Sequence, residues 1–99
     1  MEFLVHMEVG PINGGPEAEK ALREQEATRA RELAETGLLR RLWRVPGRRE
    51  NWGIWCADDA DRLHDALASL PLFPYLKITV HPLASHPNDP RRLDRTSDV

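Results

Sequence analysis

The sequence predicts a ferredoxin-like α+β fold: a β-α-β-β-α-β chain whose four strands form one antiparallel sheet with two helices on one face. Three observations carry this. Four short segments alternate apolar and polar residues with the period of a strand. Two longer segments space their apolar residues by three and four, the period of a helix. Their order is that of two β-α-β units, and right-handed crossovers place both helices on the same side of the sheet.

The first strand is "EFLVHMEV", in which Phe3, Val5, Met7 and Val9 alternate with Leu4, His6 and Glu8. "GPINGGPEAE" follows as a loop dense in glycine and proline, with Pro16 placed to open a helix. That helix runs to about Thr36, where Gly37 suits the C-terminal cap. "LLRRLWRV" reads as the second strand, with Leu39, Trp43 and Val45 on faces that alternate with arginines. "PGRRE" turns the chain into a third strand, "NWGIWCA", hairpinned to the second. "DDADRLHDALASL" is the second helix, capped by Asp58 or Asp59, with Ala60, Leu63, Leu67 and Leu70 as its stripe. Proline in "PLFP" stops it. "YLKITVHPL" is the fourth strand, with Leu76, Ile78 and Val80 inward.

Residues 1–83 therefore make one domain. Residues 84–99 are polar, rich in proline and charge, and aperiodic; they read as a tail ordered, if at all, by a neighbouring subunit. With 99 residues, 40% hydrophobic and 30% charged, the chain has a globular balance rather than a disordered one. A core this small is only just sufficient alone, which favours a homo-oligomer. A net charge of −2 argues against nucleic acid or an acidic membrane as partner. One cysteine excludes an internal disulfide framework, and the short apolar run at the start is neither a signal peptide nor a membrane span. A cytoplasmic protein is expected.

One residue breaks the pattern of the first helix. Ala18, Leu22, Ala30, Leu33 and Ala34 form its stripe, and the step between Leu22 and Ala30 is filled by Glu26. Burial raises a carboxylate's pKa toward the range useful to a general base. The plainer reading is that Glu26 pairs with Arg23 or Arg29 at i−3 and i+3 and merely holds a helix edge. The arginines Arg40, Arg41, Arg44, Arg48 and Arg49 are open to a similar choice: an anion-holding patch, or a charged sheet edge protected from pairing. His6, His64, His81 and His86 fall on separate elements without ligand spacing, so no metal site is expected. Cys56 reads as an inert strand cysteine, and Trp43, Trp52 and Trp55 as core or subunit contacts, one of which could wall a pocket.

"FLVHMEV", "LWRVPGR" with Asn51 just after it, and above all "LHDALASLPLFPY" followed by "ITVHPLASHP" closely resemble the muconolactone isomerase family, over about residues 1–87. The resemblance implies the same ferredoxin-like fold and a ring-like homo-oligomer, typically a decamer. It implies an active site between helix and sheet that neighbouring subunits complete, and an enzyme of the catechol branch of the 3-oxoadipate pathway. The family's proton-shuttling glutamate aligns with Glu26. Arg23 matches a basic position and Asn51 a hydrogen-bond donor; no cofactor or metal is called for. The departures are Arg49 where the family has a tyrosine, His6 where some members have arginine, Cys56 where an aspartate is usual, and the altered loop after the first strand. They leave the proton shuttle in place and change its surroundings, with Arg23, Arg49, Asn51 and Trp52 expected to bind substrate. Three functions follow: an isomerase of muconolactone or a substituted lactone; a divergent member that cyclises or opens a ring in biosynthesis of a larger molecule; and a non-catalytic oligomeric binding protein.

Overall fold

A computed structural model describes residues 1–91. Its elements are β1 (Glu2–Val9), α1 (Gly15–Glu35), β2 (Leu39–Arg44), β3 (Glu50–Cys56), α2 (Ala60–Ala68), a 3-10 turn (Phe73–Tyr75) and β4 (Leu76–Leu83). The order of the strands in the sheet is β2-β3-β1-β4, with every adjacent pair antiparallel. This is the ferredoxin-like arrangement that the periodicities predict.

Local chemistry sets the boundaries. Gly37 adopts a positive φ of 82° after α1, and its N–H donates to the Ala34 carbonyl while the Leu38 N–H donates to Leu33. Those two bonds satisfy carbonyls that the helix end leaves open, at a backbone angle glycine adopts without strain. At the start of α2, Asp59 Oδ1 accepts from the Arg62 N–H at 2.8 Å. Of the two aspartates, Asp59 is therefore the cap, and such a cap is worth about 1 kcal/mol.

Pairing in register puts alternate residues on opposite faces of the sheet. Phe3, Val5 and Met7 oppose Trp55, Gly53 and Asn51, and this face carries the helices. The core forms there from Phe3, Val5, Met7 and Trp55 of the sheet, Leu33 of α1, and Leu63, Ala66, Leu67 and Leu70 of α2 and its end. His6, Trp52, Ile54 and His81 lie on the other face.

Several expected burials do not occur. Ala18 and Ala34 are exposed; the inward arc of α1 runs instead through Glu19, Leu22, Glu26, Arg29, Ala30 and Leu33. Only Leu33 is fully buried. The cause is length: 21 residues rise about 31 Å, against about 20 Å for the six residues of β2. Much of α1 thus extends past the core, over open space. β2 is the sheet's edge and carries a bulge between Leu39 and Arg41, so Leu42 and Trp43 are 51% and 44% exposed. Ala60 and Val80 are also exposed rather than inward.

Candidate active site

The overhang of α1 leaves a cleft of about 570 Å³ between the helix and the β2-β3 edge. That volume falls within the range of small-molecule sites. Arg23 enters it from α1, Leu42 and Arg44 from β2, Arg48 and Arg49 from the turn, and Asn51 from β3. Arg44 and Asn51 are register partners on the helix-bearing face. The structure thus gathers Arg23, Arg49 and Asn51, three of the side chains singled out in the sequence.

A carboxylate that sequence reasoning passed over organises the arginines. Glu19 Oε1 accepts from Arg49 Nη2 at 2.8 Å and from Arg23 Nη2 at 3.2 Å and Nε at 3.3 Å. The i,i+4 spacing of Glu19 and Arg23 was the available signal; the contact to Arg49, thirty residues on, had none. Arg48 approaches Glu50 at 3.5 Å. Among the described residues, Arg44 is the arginine of the cleft that makes no salt bridge.

Glu26 lies one turn beyond Arg23, in the seam between α1 and the chain that leaves α2, and does not itself line the cleft. The anticipated i±3 ion pairs do not form. Arg23 turns to Glu19, and Arg29 donates to Ser69 Oγ at 2.9 Å and to Glu32 Oε2 at 3.3 Å. Glu26 Oε1 accepts instead from the backbone N–H of Leu72 at 3.0 Å. Leu72 follows Pro71 and is buried, so its amide would otherwise lack a partner. Burial pushes the Glu26 carboxyl above its ordinary range, while the Leu72 amide and the nearby Arg23 guanidinium pull the other way. Desolvation wins.

Trp52 is not part of this gathering. It stands on the opposite face of the sheet, stacked on His6 at 4.4 Å and facing His81 at 6.1 Å. His6 Nε2 lies 2.8 Å from Glu50 Oε1. The sheet register therefore brings together two of the four histidines that are far apart in sequence. Among the described residues, no three His, Cys, Asp or Glu side chains could hold a metal ion. No described helix is long and apolar enough to cross a membrane.

The family model described as muconolactone delta-isomerase matches residues 1–89. The chain belongs to the muconolactone delta-isomerase family. It is 39% identical over 92 residues to the muconolactone delta-isomerase of Cupriavidus pinatubonensis, covering 92% of this chain and all of that one. It is 35% identical over 96 residues to that of Pseudomonas aeruginosa, covering 96% of this chain and again the whole relative. A crystal structure of a muconolactone isomerase superposes with a TM-score of 0.83 at 36% identity, over 91% of this chain and 95% of that chain. A dehydrochlorinase acting on 5-chloro-2-hydroxyhydroquinone, from Burkholderia phenoliruptrix, shares the fold alone, with a TM-score of 0.60 at 13% identity over 87% of this chain and 96% of that one.

The raised pKa of Glu26 has a consequence for stability. A group whose folded-state pKa exceeds its unfolded value contributes most below the unfolded pKa, and that contribution is lost as pH rises through the folded pKa. Glu26→Gln keeps an oxygen for the Leu72 amide without the buried charge. Its melting temperature is expected to exceed the parent's at neutral pH, with the gap closing as pH falls below the ordinary carboxylate range. Thermal unfolding across pH checks this, and a less stable Gln variant at neutral pH would contradict it.

Proposed function

We propose that this protein isomerises muconolactone, or a closely related unsaturated lactone, with Glu26 as the one proton-carrying base. The observation that carries the reading is the state of Glu26: a half-buried carboxylate without an ion pair among the described residues, fixed by one backbone amide, in a member of this family.

The substrate is a five-membered unsaturated lactone with a carboxymethyl arm. Glu26 removes the proton from the ring carbon that bears the arm. The C–H electron pair moves through the ring double bond to the carbonyl oxygen, leaving a dienolate. Protonated Glu26 then returns the proton to the carbon beside the carbonyl, which gives the enol-lactone. No atoms are gained or lost, and the base ends as it began. Burial suits the task, because a carboxyl raised toward neutral pH is both a stronger base and a competent acid.

The remaining parts have separate duties. An arginine of the cleft holds the carboxylate of the arm by paired hydrogen bonds; Arg44, which has no carboxylate of its own among the described residues, and Arg23, next to Glu26, are the side chains we assign to it. Glu19 keeps Arg23 and Arg49 in place, and Arg49 borders the substituent end of the lactone. The Asn51 amide donates to the oxygen on which charge develops. The enzyme acts in the cytoplasm and needs no cofactor. Incubation with muconolactone in deuterated water, followed by NMR, is expected to give enol-lactone with ring deuterium. Turnover by Glu26→Gln should fall about 100- to 10,000-fold. Parent-like turnover by that variant would refute Glu26 as base.

The cleft is completed by further copies of the chain in a homo-oligomer, a ring of ten, onto which residues 84–99 dock. Exposed Leu42, Trp43 and Leu83 on so small a protein support this; residues 92–99 of that tail lie outside the described residues. Light scattering after size exclusion should give close to ten times the 11.3 kDa chain mass. A monomer mass would contradict it.

A further inference from the structure

Glu50 stands where the two faces of the sheet meet. Its side chain lines the cleft, while its strand neighbour Trp52 and its register partner Glu8 belong to the face without helices. One oxygen, Oε1, lies 2.8 Å from His6 Nε2, and the other, Oε2, lies 3.5 Å from Arg48 Nη1. His6 is on the open face and Arg48 lines the cleft. A single carboxylate is therefore shared between the two sides of the sheet. An ionised carboxylate only accepts, so Nε2 of a neutral His6 carries the hydrogen and donates it.

The two partners are held unequally. The His6 and Glu50 side chains are 17% and 16% exposed, and Trp52, the register partner of His6, stacks on the imidazole at 4.4 Å. Arg48 is 71% exposed and meets Glu50 through one long contact. A largely buried pair is screened less than an exposed one, so a charged His6 holds Glu50 more firmly than Arg48 does. The other charged groups around the imidazole are engaged elsewhere or set back. Glu8, two residues along β1, meets Lys77 of β4 at 3.8 Å, and His81 of β4 lies across Trp52 at 6.1 Å. Thr79, opposite His6 on β4, is uncharged.

We propose that His6 and Glu50 are positioning residues that set how strongly the cleft binds an anion: protonated His6 takes up the charge of Glu50 and releases Arg48 to the ligand. Charge alone fixes the sign. A proton on His6 brings positive charge toward the cleft and loosens Glu50 from Arg48, and both effects favour an anion. Linkage makes the coupling reciprocal, so an anion beside Arg48 makes His6 easier to protonate. Histidine titrates near neutral pH, which places the effect between about pH 5 and 8. The ligand's identity rests on the isomerase reading, whereas the coupling needs only a carboxylate in the cleft.

The probe is dihydromuconolactone, the saturated lactone that keeps the carboxymethyl arm and has no ring double bond to shift. Glu26→Gln serves as the background for calorimetry, so that the base does not titrate. Binding is expected to be about threefold tighter at pH ~6 than at pH ~8. His6→Gln keeps a donor for Glu50 without titrating, and in it the gain should vanish. Glu50→Gln leaves Arg48 free whatever the state of His6, so at the higher pH it should bind at least as tightly as the background does at the lower. A Glu50 that merely holds Arg48 in place predicts the opposite, a loss of affinity. In proton NMR of the unaltered protein, the His6 ring signal should titrate at higher pH with the lactone present, while that of His64, against Phe73, stays put. A His6 titration that the lactone leaves unchanged, or weaker binding by Glu50→Gln at the higher pH, would overturn the proposal. Turnover of muconolactone by the unaltered protein is scored separately: without it the isomerase reading fails, and the His6 titration still decides the coupling.

Discussion

The hydrogen bond from the Leu72 amide to Glu26 joins three levels of this structure. It ties the middle of α1 to the segment that leaves α2, across 46 residues of sequence. It gives a partner to a buried amide next to a proline, which no helix or strand supplies. It also holds a carboxylate away from the arginines on either side, so that burial rather than charge pairing sets its proton affinity. An ordinary ion pair at this position would have lowered the pKa.

The surroundings follow from a mismatch of lengths. Because α1 outruns the edge strand it packs on, its N-terminal half has no core beneath it. The gap is filled by four arginines from α1, β2 and the turn between β2 and β3, of which Arg23 and Arg49 are held by Glu19 and Arg48 by Glu50. Like charges gathered in this way repel one another, and the carboxylates offset that cost while leaving the cleft positive in balance. The sheet then divides the work: the face under the helices holds the core and the cleft, while the other carries the His6–Trp52–His81 stack.

Much of this was legible in the sequence, and the rest was lost for identifiable reasons. Period and punctuation gave all six regular elements, since alternation, Gly37 and Asp59 act locally. Glu26 stood out because a carboxylate interrupted an apolar stripe. The stripe itself was misplaced at Ala18 and Ala34, because alanine is compatible with either side of a helix and the true arc passes through polar Glu19 and Arg29. The choice between core and subunit contact for Trp43 stayed open, because alternation says nothing about whether a strand lies at an edge. The separation of Trp52 from Asn51 follows from the pleat alone, which sends neighbours to opposite faces. What Glu19 does for Arg49 depends on contacts between elements and left no local trace.

The central claim is that burial makes Glu26 the base. The direct measurement is the titration of carbon-13-labelled glutamate side chains by NMR, set beside the pH profile of kcat/KM for muconolactone. The account predicts that the Glu26 carboxyl titrates at higher pH than the other glutamates and that kcat/KM rises with pH through that same inflection. A Glu26 that titrates with the surface glutamates, or an activity profile that follows another group, would contradict it.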